Sequence, residues 1–276
     1  MNENRFVIIR GGGDIATGVI YVLYHAGFRI LITEMSKPSA IRRNVALCEA
    51  VYDGQKTVED VTAVRCNSFT EVKEVLSKNQ IPLLIDPSME ILKETQPDIV
   101  VDAILAKKNL GTTKDMAPLT IALGPGFEAG RDVDLVIETM RGHQLGRIIS
   151  QGAALQNTGV PGLIAGESAK RVIHAPTEGV MHLHKELADT VTAGEVIAEI
   201  ETKDSRSVQV EATLDGLLRG LIRDGFYVTK GFKIADIDPR LAEKDNCFTI
   251  SDKSRFLGSS VLTAIAWEDH RCATSR

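Results

Sequence analysis

The residues able to do chemistry fall in short runs at the ends of apolar segments. The first run, Gly11-Gly12-Gly13-Asp14-Ile15-Ala16-Thr17-Gly18, directly follows Phe6-Val7-Ile8-Ile9-Arg10. It has the G-x-G-x-x-A form of a phosphate-binding turn. Gly11 permits the tight turn, Gly13 lets a ligand phosphate approach the backbone, and Ala16 or Gly18 allows a helix to pack closely on a sheet. Glu34 stands 21 residues beyond Gly13, where a carboxylate would accept ribose hydroxyls. Gly11, Gly12, Gly13, Asp14, Ala16, Gly18 and Glu34 are therefore candidate cofactor-binding residues. Asp14 also supports a plainer alternative, since it occupies the helix terminus a pyrophosphate would otherwise take and can satisfy those N–H groups itself. Arg42 and Arg43 are either partners of a phosphorylated ribose or solvated helix charges.

Further runs follow later apolar segments, where ligands of open α/β sheets lie. Asp102 leads to Lys107-Lys108-Asn109, whose cations are candidates for an anionic ligand, and Gly124-Pro125-Gly126 is a loop that a ligand can approach by backbone. Each is, alternatively, a solvated loop or tight turn. Glu138-Thr139-Met140-Arg141-Gly142-His143 places an acid, a cation and an imidazole within six residues, making His143 a candidate acid, base or ligand. Its alternative is structural. His182 and His184 alternate along a predicted strand, and an exposed pair is the expected reading, so no metal site is assigned. Cys247 lies beside charged and hydroxyl residues, with Lys253 and Arg255 able to lower its pKa. A small buried hydrophobe is its alternative. Cys247 and His143 are the catalytic candidates.

The elements that must position these residues read as βαβ at the start: Phe6 to Ile9, Asp14 to Ala26, Arg29 to Thr33. Val61 to Arg65, Ile81 to Ile85, Asp98 to Asp102, Leu119 to Leu123 and Val133 to Ile137 read as buried strands. Helices are expected near Phe69 to Lys78 and Ser88 to Glu94, with Pro82, Pro87 and Pro97 at boundaries. The pattern predicts an α/β chain with a Rossmann-like, doubly wound parallel sheet over residues 1–165. From Arg171 to Arg240 the sequence turns to Val, Ile, Gly and Thr with frequent turns. It also repeats itself at an offset of 37: Ala175 with Ala212, Gly179 with Gly216, Val191 with Val228, Ile197 with Ile234, Ile200 with Ile237. A gapless repeat implies two similar halves folded together. Residues 241–276 are expected to pack back on the core, with a helix from Phe256 to Trp267.

Composition narrows the function. With 32 Lys and Arg against 37 Asp and Glu, the net charge is -5, so no basic surface is offered to nucleic acid. Apolar runs are strand-length, which excludes a membrane span, and the N-terminus enters a strand without a leader, so a cytoplasmic protein is expected. The cysteines Cys48, Cys66, Cys247 and Cys272 are far apart, which argues against disulfides and a structural zinc. With 8 Phe, 4 Tyr and 1 Trp, the core must be aliphatic.

Two resemblances carry the reading further. Residues 171–240, with A-x-x-x-G and V-x-x-G patterns in each half, resemble the barrel-sandwich hybrid of biotinyl and lipoyl carriers, which implies a small all-β domain. The resemblance places Lys203 on the hairpin that bears the modified lysine, but neither carrier's flanking signature is present, so Lys203 is expected to be a surface lysine. Over nearly the whole chain, Ile8 to Gly18, Asp102 to Asn109, Ala122 to Phe127, Ile137 to His143 and Asp236 to Arg240 resemble the YqeB family, and the N-terminal part is reminiscent of XdhC-type chaperones. The resemblance implies an accessory or maturation factor for a selenium-dependent molybdenum hydroxylase, with the hydroxylase or its cofactor as partner and Cys247 relaying sulfur or selenium. It would bind a nucleotide or molybdopterin-like anion, NAD(P) or molybdenum cofactor being the candidate cofactors, at the strand carboxyl ends. The alternatives are an NAD(P)-dependent oxidoreductase and a non-catalytic docking adaptor; a homo-oligomer is compatible with either.

Overall fold

The computed structural model describes residues 4–159, 162 and 164–274. The chain divides into two compact units. Unit 1 comprises Met1–Pro38, Ala46–Thr158 and Ile250–Arg276; unit 2 comprises Ser39–Val45 and Gly159–Thr249.

Unit 1 contains β1 (Phe6–Arg10), β2 (Arg29–Glu34), β3 (Gln55–Val58), β4 (Val61–Cys66), β5 (Ile81–Ile85), β6 (Ile99–Asp102), β7 (Leu119–Leu123), β8 (Glu128–Ala129), β9 (Leu135–Ile137), β10 (Ile148–Ile149) and β11 (Gly152–Ala153). Its helices are α1 (Asp14–His25), α2 (Ala50–Asp53), α3 (Phe69–Ser77) and α4 (Asp252–Thr274). A nine-stranded sheet runs in the order β10-β9-β7-β6-β1-β2-β5-β4-β3. Val7, Ile8 and Ile9 at its centre are fully buried, a continuous apolar run of the kind a strand covered on both faces requires.

The expected Rossmann-like doubly wound sheet is corrected here. The sheet is mixed, because β3 and β10 pair antiparallel at its two edges. β5 lies between β2 and β4, an order that successive winding would not give. Helical cover is also sparse. The crossovers after β5 and β6 carry only short 3-10 turns, Glu90–Lys93 and Lys114–Met116. Pro87 and Pro97 bracket the first, and Pro118 ends the second, leaving no length for a full helix. The expected helix near 88–94 is that single turn.

α1 and α4 cross closely. α1 buries Ala16, Thr17, Gly18, Val19, Ile20 and Leu23, and α4 buries Ser254, Leu257, Gly258, Val261, Ala264 and Ile265 at helical spacing. A Cβ on Gly18 would collide with the Ser254 backbone, and one on Gly258 would fall 2.5 Å from the Gly18 carbonyl oxygen. Two glycines are thus what let the backbones meet. α4 is longer than the expected Phe256 to Trp267, beginning at Asp252 with the Ser251 hydroxyl accepting the Ser254 N–H at 3.2 Å.

Unit 2 holds β12 (Val172–His174), β13 (Gly179–Leu183), β14 (Thr190–Val191), β15 (Val196–Glu201), β16 (Ser207–Glu211), β17 (Gly216–Leu221), β18 (Tyr227–Val228) and β19 (Lys233–Asp238). They form two antiparallel sheets, β12-β19-β17-β14 and β16-β15-β13-β18. Shifting any strand of β12 to β15 by 37 residues lands on its counterpart in the other sheet. Each sheet therefore mixes strands from both halves of the repeat. The core repeats as well, with Ile173, Met181, Ile197 and Ile200 answered by Val210, Leu218, Ile234 and Ile237. Gly179 sits against Ile200 and Glu201, and Gly216 against Ile237 and Asp238, so neither half tolerates a side chain there. The symmetry breaks in its charges. His182 and Glu201 meet on the surface at 3.1 Å, whereas their counterparts Arg219 and Asp238 pair at 3.2 Å around a buried carboxylate. Asp236 is also buried and held between Arg171 and Arg219.

Two outcomes follow. Gly18→Ala gains about 1 kcal/mol of helix propensity but overpacks the crossing at about 1–3 kcal/mol, so its melting temperature should fall, whereas Gly13→Ala, with open space at its Cβ, should be near neutral in the same melt. For Asp238, burial raises the pKa, but hydrogen bonds from the Arg240 side chain and backbone and the charges of Arg219 and Arg240 hold it below the usual range. Its stabilisation is present above the unfolded value of about 3.9 and lost as pH falls through the folded one. Asp238→Asn should cost about 2 kcal/mol at pH 7, and the difference from wild type should shrink below about pH 4 in denaturant titrations.

Candidate functional site

The loops after β1, β2, β6, β7 and β9 meet at the carboxyl edge of the unit 1 sheet. The glycine turn is occupied by its own chain. Gly11, at a φ of 95°, donates to the Thr33 carbonyl at 2.8 Å, and its Cβ would lie 3.1 Å from Ile104 Cα. Gly12 accepts the Cys48 N–H at 2.8 Å and would place a Cβ 2.9 Å from that nitrogen. Its own N–H donates to Glu34 Oε1 at 2.9 Å, and Glu34 Oε2 accepts the Met35 N–H at 2.7 Å. Glu34 thus ties the β1 and β2 loops with both oxygens, and burial raises its pKa against those two bonds. Gly18 serves the α1–α4 packing, and Ala16 is buried on α1. Gly13 opens α1 with nothing within 4 Å of its Cβ position. Cys48 lies beneath this turn, its thiol pushed well up by burial and by Glu34, Glu49 and Asp14.

The β6 side is a second self-contained network. Asp102 is buried at the end of β6 and accepts from Thr112 Oγ1 at 2.5 Å, Ile104 N at 3.2 Å and Arg10 NH1 at 3.4 Å. Arg10, also buried, continues to the Pro87 and Leu110 carbonyls. Burial raises the Asp102 pKa, opposed by Thr112, Arg10 and Ile104. Asn109 staples the loop, its Oδ1 accepting from Gly111 N and Thr112 N at 2.8 Å each. Lys107 and Lys108 are exposed beside it. Leu105 and Lys107 hold positive φ of 57° and 62°, conformations that side-chain-bearing residues rarely take. Gly126 lies against the Lys107–Lys108 backbone, 2.6 Å from Lys108 Cα at its Cβ position, and Gly124 against Thr139.

Beyond β9 the chain forms a hairpin from Glu138 to Arg147, closed by Glu138 N to Arg147 O at 3.0 Å and Gly146 N to Glu138 O at 2.8 Å. His143 is exposed on this hairpin. Arg141 pairs bidentately with Asp252 at the start of α4, at 2.9 and 3.1 Å. Next to it stands Lys253, half-buried in the first turn of α4. Burial lowers its pKa and the Arg141 charge lowers it further, while Asp14, Glu138 and Asp252 act in the opposite direction. A cation in a helix's first turn also opposes the dipole. An open cleft of about 580 Å³ is walled by Glu138, Gln144, Arg147, Ile148, Ile149, Ser150, Gln151, Ala153 and Leu155. Glu138 is shared, lining the cleft and acting on Lys253.

The sequence-predicted residues are thus only partly gathered. The glycine turn, Glu34, Lys107, Lys108, Asn109, Gly124 and Gly126 all lie in loops of the carboxyl edge, but Gly11, Gly12 and Glu34 are spent on chain closure. Cys247 is corrected from a catalytic candidate to its alternative, a small buried hydrophobe: it is 1% exposed in unit 2, packed with Ala188 and Leu217. Burial raises its thiol pKa despite Arg42, Arg219 and Lys244. Arg42 and Arg43, the alternatives for a phosphorylated ribose, bond to backbone carbonyls, Arg43 to Leu221 O at 2.8 Å and Arg42 to Asn246 O at 3.2 Å. Lys203 is exposed near Glu178 at 3.4 Å, and His184 lies 3.8 Å from Glu199. Among the described residues, no group of three or more His, Cys, Asp or Glu is placed to hold a metal ion, and no helix is long and apolar enough to cross a membrane. Lys253 as a site residue, and Arg147, were missed. The signal for Lys253 was available: a lysine two residues after the helix-capping Ser251, where cations are disfavoured.

No protein-family profile matches the chain. Among solved structures, similarity was found to the apo ectoine utilization protein EutE (DoeB) of Ruegeria pomeroyi, at 11% identity over 85% of this chain and 86% of that one with a TM-score of 0.26. A succinylglutamate desuccinylase/aspartoacylase of Rhodobacter sphaeroides matches at 16% identity, 85% and 86% coverage and a TM-score of 0.28. An aspartoacylase family protein of Mesorhizobium loti matches at 14% identity, 86% of each chain and a TM-score of 0.26. At such TM-scores these likenesses carry no argument about activity; the expected accessory-factor role, with its nucleotide-binding, oxidoreductase and adaptor variants, finds no support among them and is not carried further. The sequence relationship is of another order: the chain is 49% identical over 268 residues to the uncharacterized protein YqeB of Escherichia coli strain K12, covering 97% of this chain and 48% of that protein. The chain spans about half the length of that relative. Identity of this extent along nearly all of its residues places the chain in the YqeB family.

Proposed function

We propose that the chain is an enzyme acting on a small organic molecule at the carboxyl edge of the unit 1 sheet, with Lys253 as its proton-transferring group. The observation that carries this reading is Lys253 itself. An amine that is half-buried, in a helix's first turn and beside Arg141 loses its proton more readily than a surface lysine. A base is most effective when its pKa lies near the working pH. Asp14 and Glu138 limit the fall, so the amine can return to its charged form after accepting a proton. The strained loop at Leu105 and Lys107 lies on the same edge, and strain of that kind gathers at functional sites.

Competitive acetylation of the folded chain across pH, read by peptide mass spectrometry, tests the reading. Lys253 should reach half-maximal reactivity at lower pH than the exposed Lys203, whose pKa Glu178 raises. Removing an attracting charge should move its profile down, so Asp14→Asn shifts it to lower pH; Arg141→Met shifts it to higher pH. A Lys253 profile superimposable on the surface lysines, unmoved by either change, would remove the basis of the proposal.

A further inference from the structure

The walls of the 580 Å³ cleft specify what enters it. Among the described residues that line it, Arg147 is the one cation and Glu138 the one anion. Glu138 is unsuited to hold a ligand cation: it is buried, with Oε1 accepting the Met140 N–H and Oε2 the Leu155 N–H, both at 2.7 Å. Arg147 differs. It is exposed on the wall, and its NH1 donates to the neutral Gln144 Oε1 at 2.9 Å. That bond orients the guanidinium without neutralising its charge. Ser150 and Gln151 add a hydroxyl and an amide, while Ile148, Ile149 and Leu155 supply an apolar wall. Leu155 is 51% exposed, an apolar surface that a ligand's hydrocarbon part would cover.

We propose that the cleft binds an organic monocarboxylate with an apolar body, the carboxylate on Arg147 and the body against Leu155 and Ile149. The assignment deepens the enzymatic reading above and rests on it for the ligand's role as substrate, but binding itself can be measured apart from Lys253. A guanidinium fork matches a carboxylate in two parallel hydrogen bonds, and a cleft of this volume suits a small organic ligand. A polyphosphate would bring more negative charge than one guanidinium offsets.

Calorimetric titration of the full chain with hexanoate, octanoate and phenylpropanoate, against hexanamide and hexylamine, tests the proposal. At least one carboxylate should bind in the millimolar range or tighter, with hexanamide and hexylamine ten-fold or more weaker than hexanoate. Arg147→Gln should weaken carboxylate binding at least ten-fold, Arg147→Lys should retain part of it, and Leu155→Ser should weaken the longer chain more than the shorter. A Lys253 acetylation profile like that of a surface lysine, together with intact carboxylate binding, would sink the enzymatic reading alone. The cleft assignment is overturned if no carboxylate binds, if the amide binds as well as the acid, or if Arg147→Gln binds unchanged. It is equally overturned if binding is lost in Lys253→Met and kept in Arg147→Gln, which would put the carboxylate on the lysine.

Discussion

The close crossing of α1 and α4 is the constraint on which the site depends. Gly18 faces the Ser254 backbone, and Gly258 faces Gly18, so the two helix backbones come close at these positions. Ser254 is the neighbour of Lys253, and Asp14 opens α1. The crossing that seats Ser254 therefore also fixes the first turn of α4 beside the first turn of α1. Lys253 is thereby brought under the influence of Asp14. Arg141 completes the arrangement by anchoring the β9–β10 hairpin to Asp252. A lysine placed by two helix backbones and a hairpin is held by rigid elements, the condition for a titrating group whose surroundings do not relax around its charge.

The same economy of charge runs through the rest of the unit. Three carboxylates at the carboxyl edge are bonded by backbone amides, a hydroxyl or a cation: Glu34 by Gly12 and Met35, Glu138 by Met140 and Leu155, Asp102 by Thr112, Ile104 and Arg10. Desolvation makes an unsatisfied carboxylate costly, and these bonds remove the cost while joining loops that are far apart in sequence. Among the groups left outside these bonds are Lys253 and the Arg147 guanidinium on its neutral partner.

Much of this was legible in the residues. β1, α1 and β2 follow from the apolar run, the glycine turn and the helical spacing of Ala16, Val19, Ile20 and Leu23. The 37-residue repeat foretold that unit 2 is built of two equivalent halves, although not that each sheet would draw strands from both. The sheet order was not legible. β3 is the short polar Gln55-Lys56-Thr57-Val58, which has no strand-like pattern, and the placing of β5 between β2 and β4 depends on pairing across sequence that no local signal records. The glycine turn misled for a physical reason. Close backbone approach demands glycine whether the approaching group is a phosphate or another stretch of chain, and here Cys48 and Ile104 are what approach Gly12 and Gly11. Cys247 misled similarly, since polar neighbours in sequence say little about burial when a 3-10 turn, Leu241–Cys247, directs the side chain inward.

The most direct test of the central claim is turnover. Wild-type chain and Lys253→Met, matched for folding by circular dichroism, would each be incubated with a bacterial metabolite extract and followed by untargeted mass spectrometry. The account predicts that a small compound is depleted and a related product accumulates with the wild type alone. No change with either protein, or the same change with both, would contradict it.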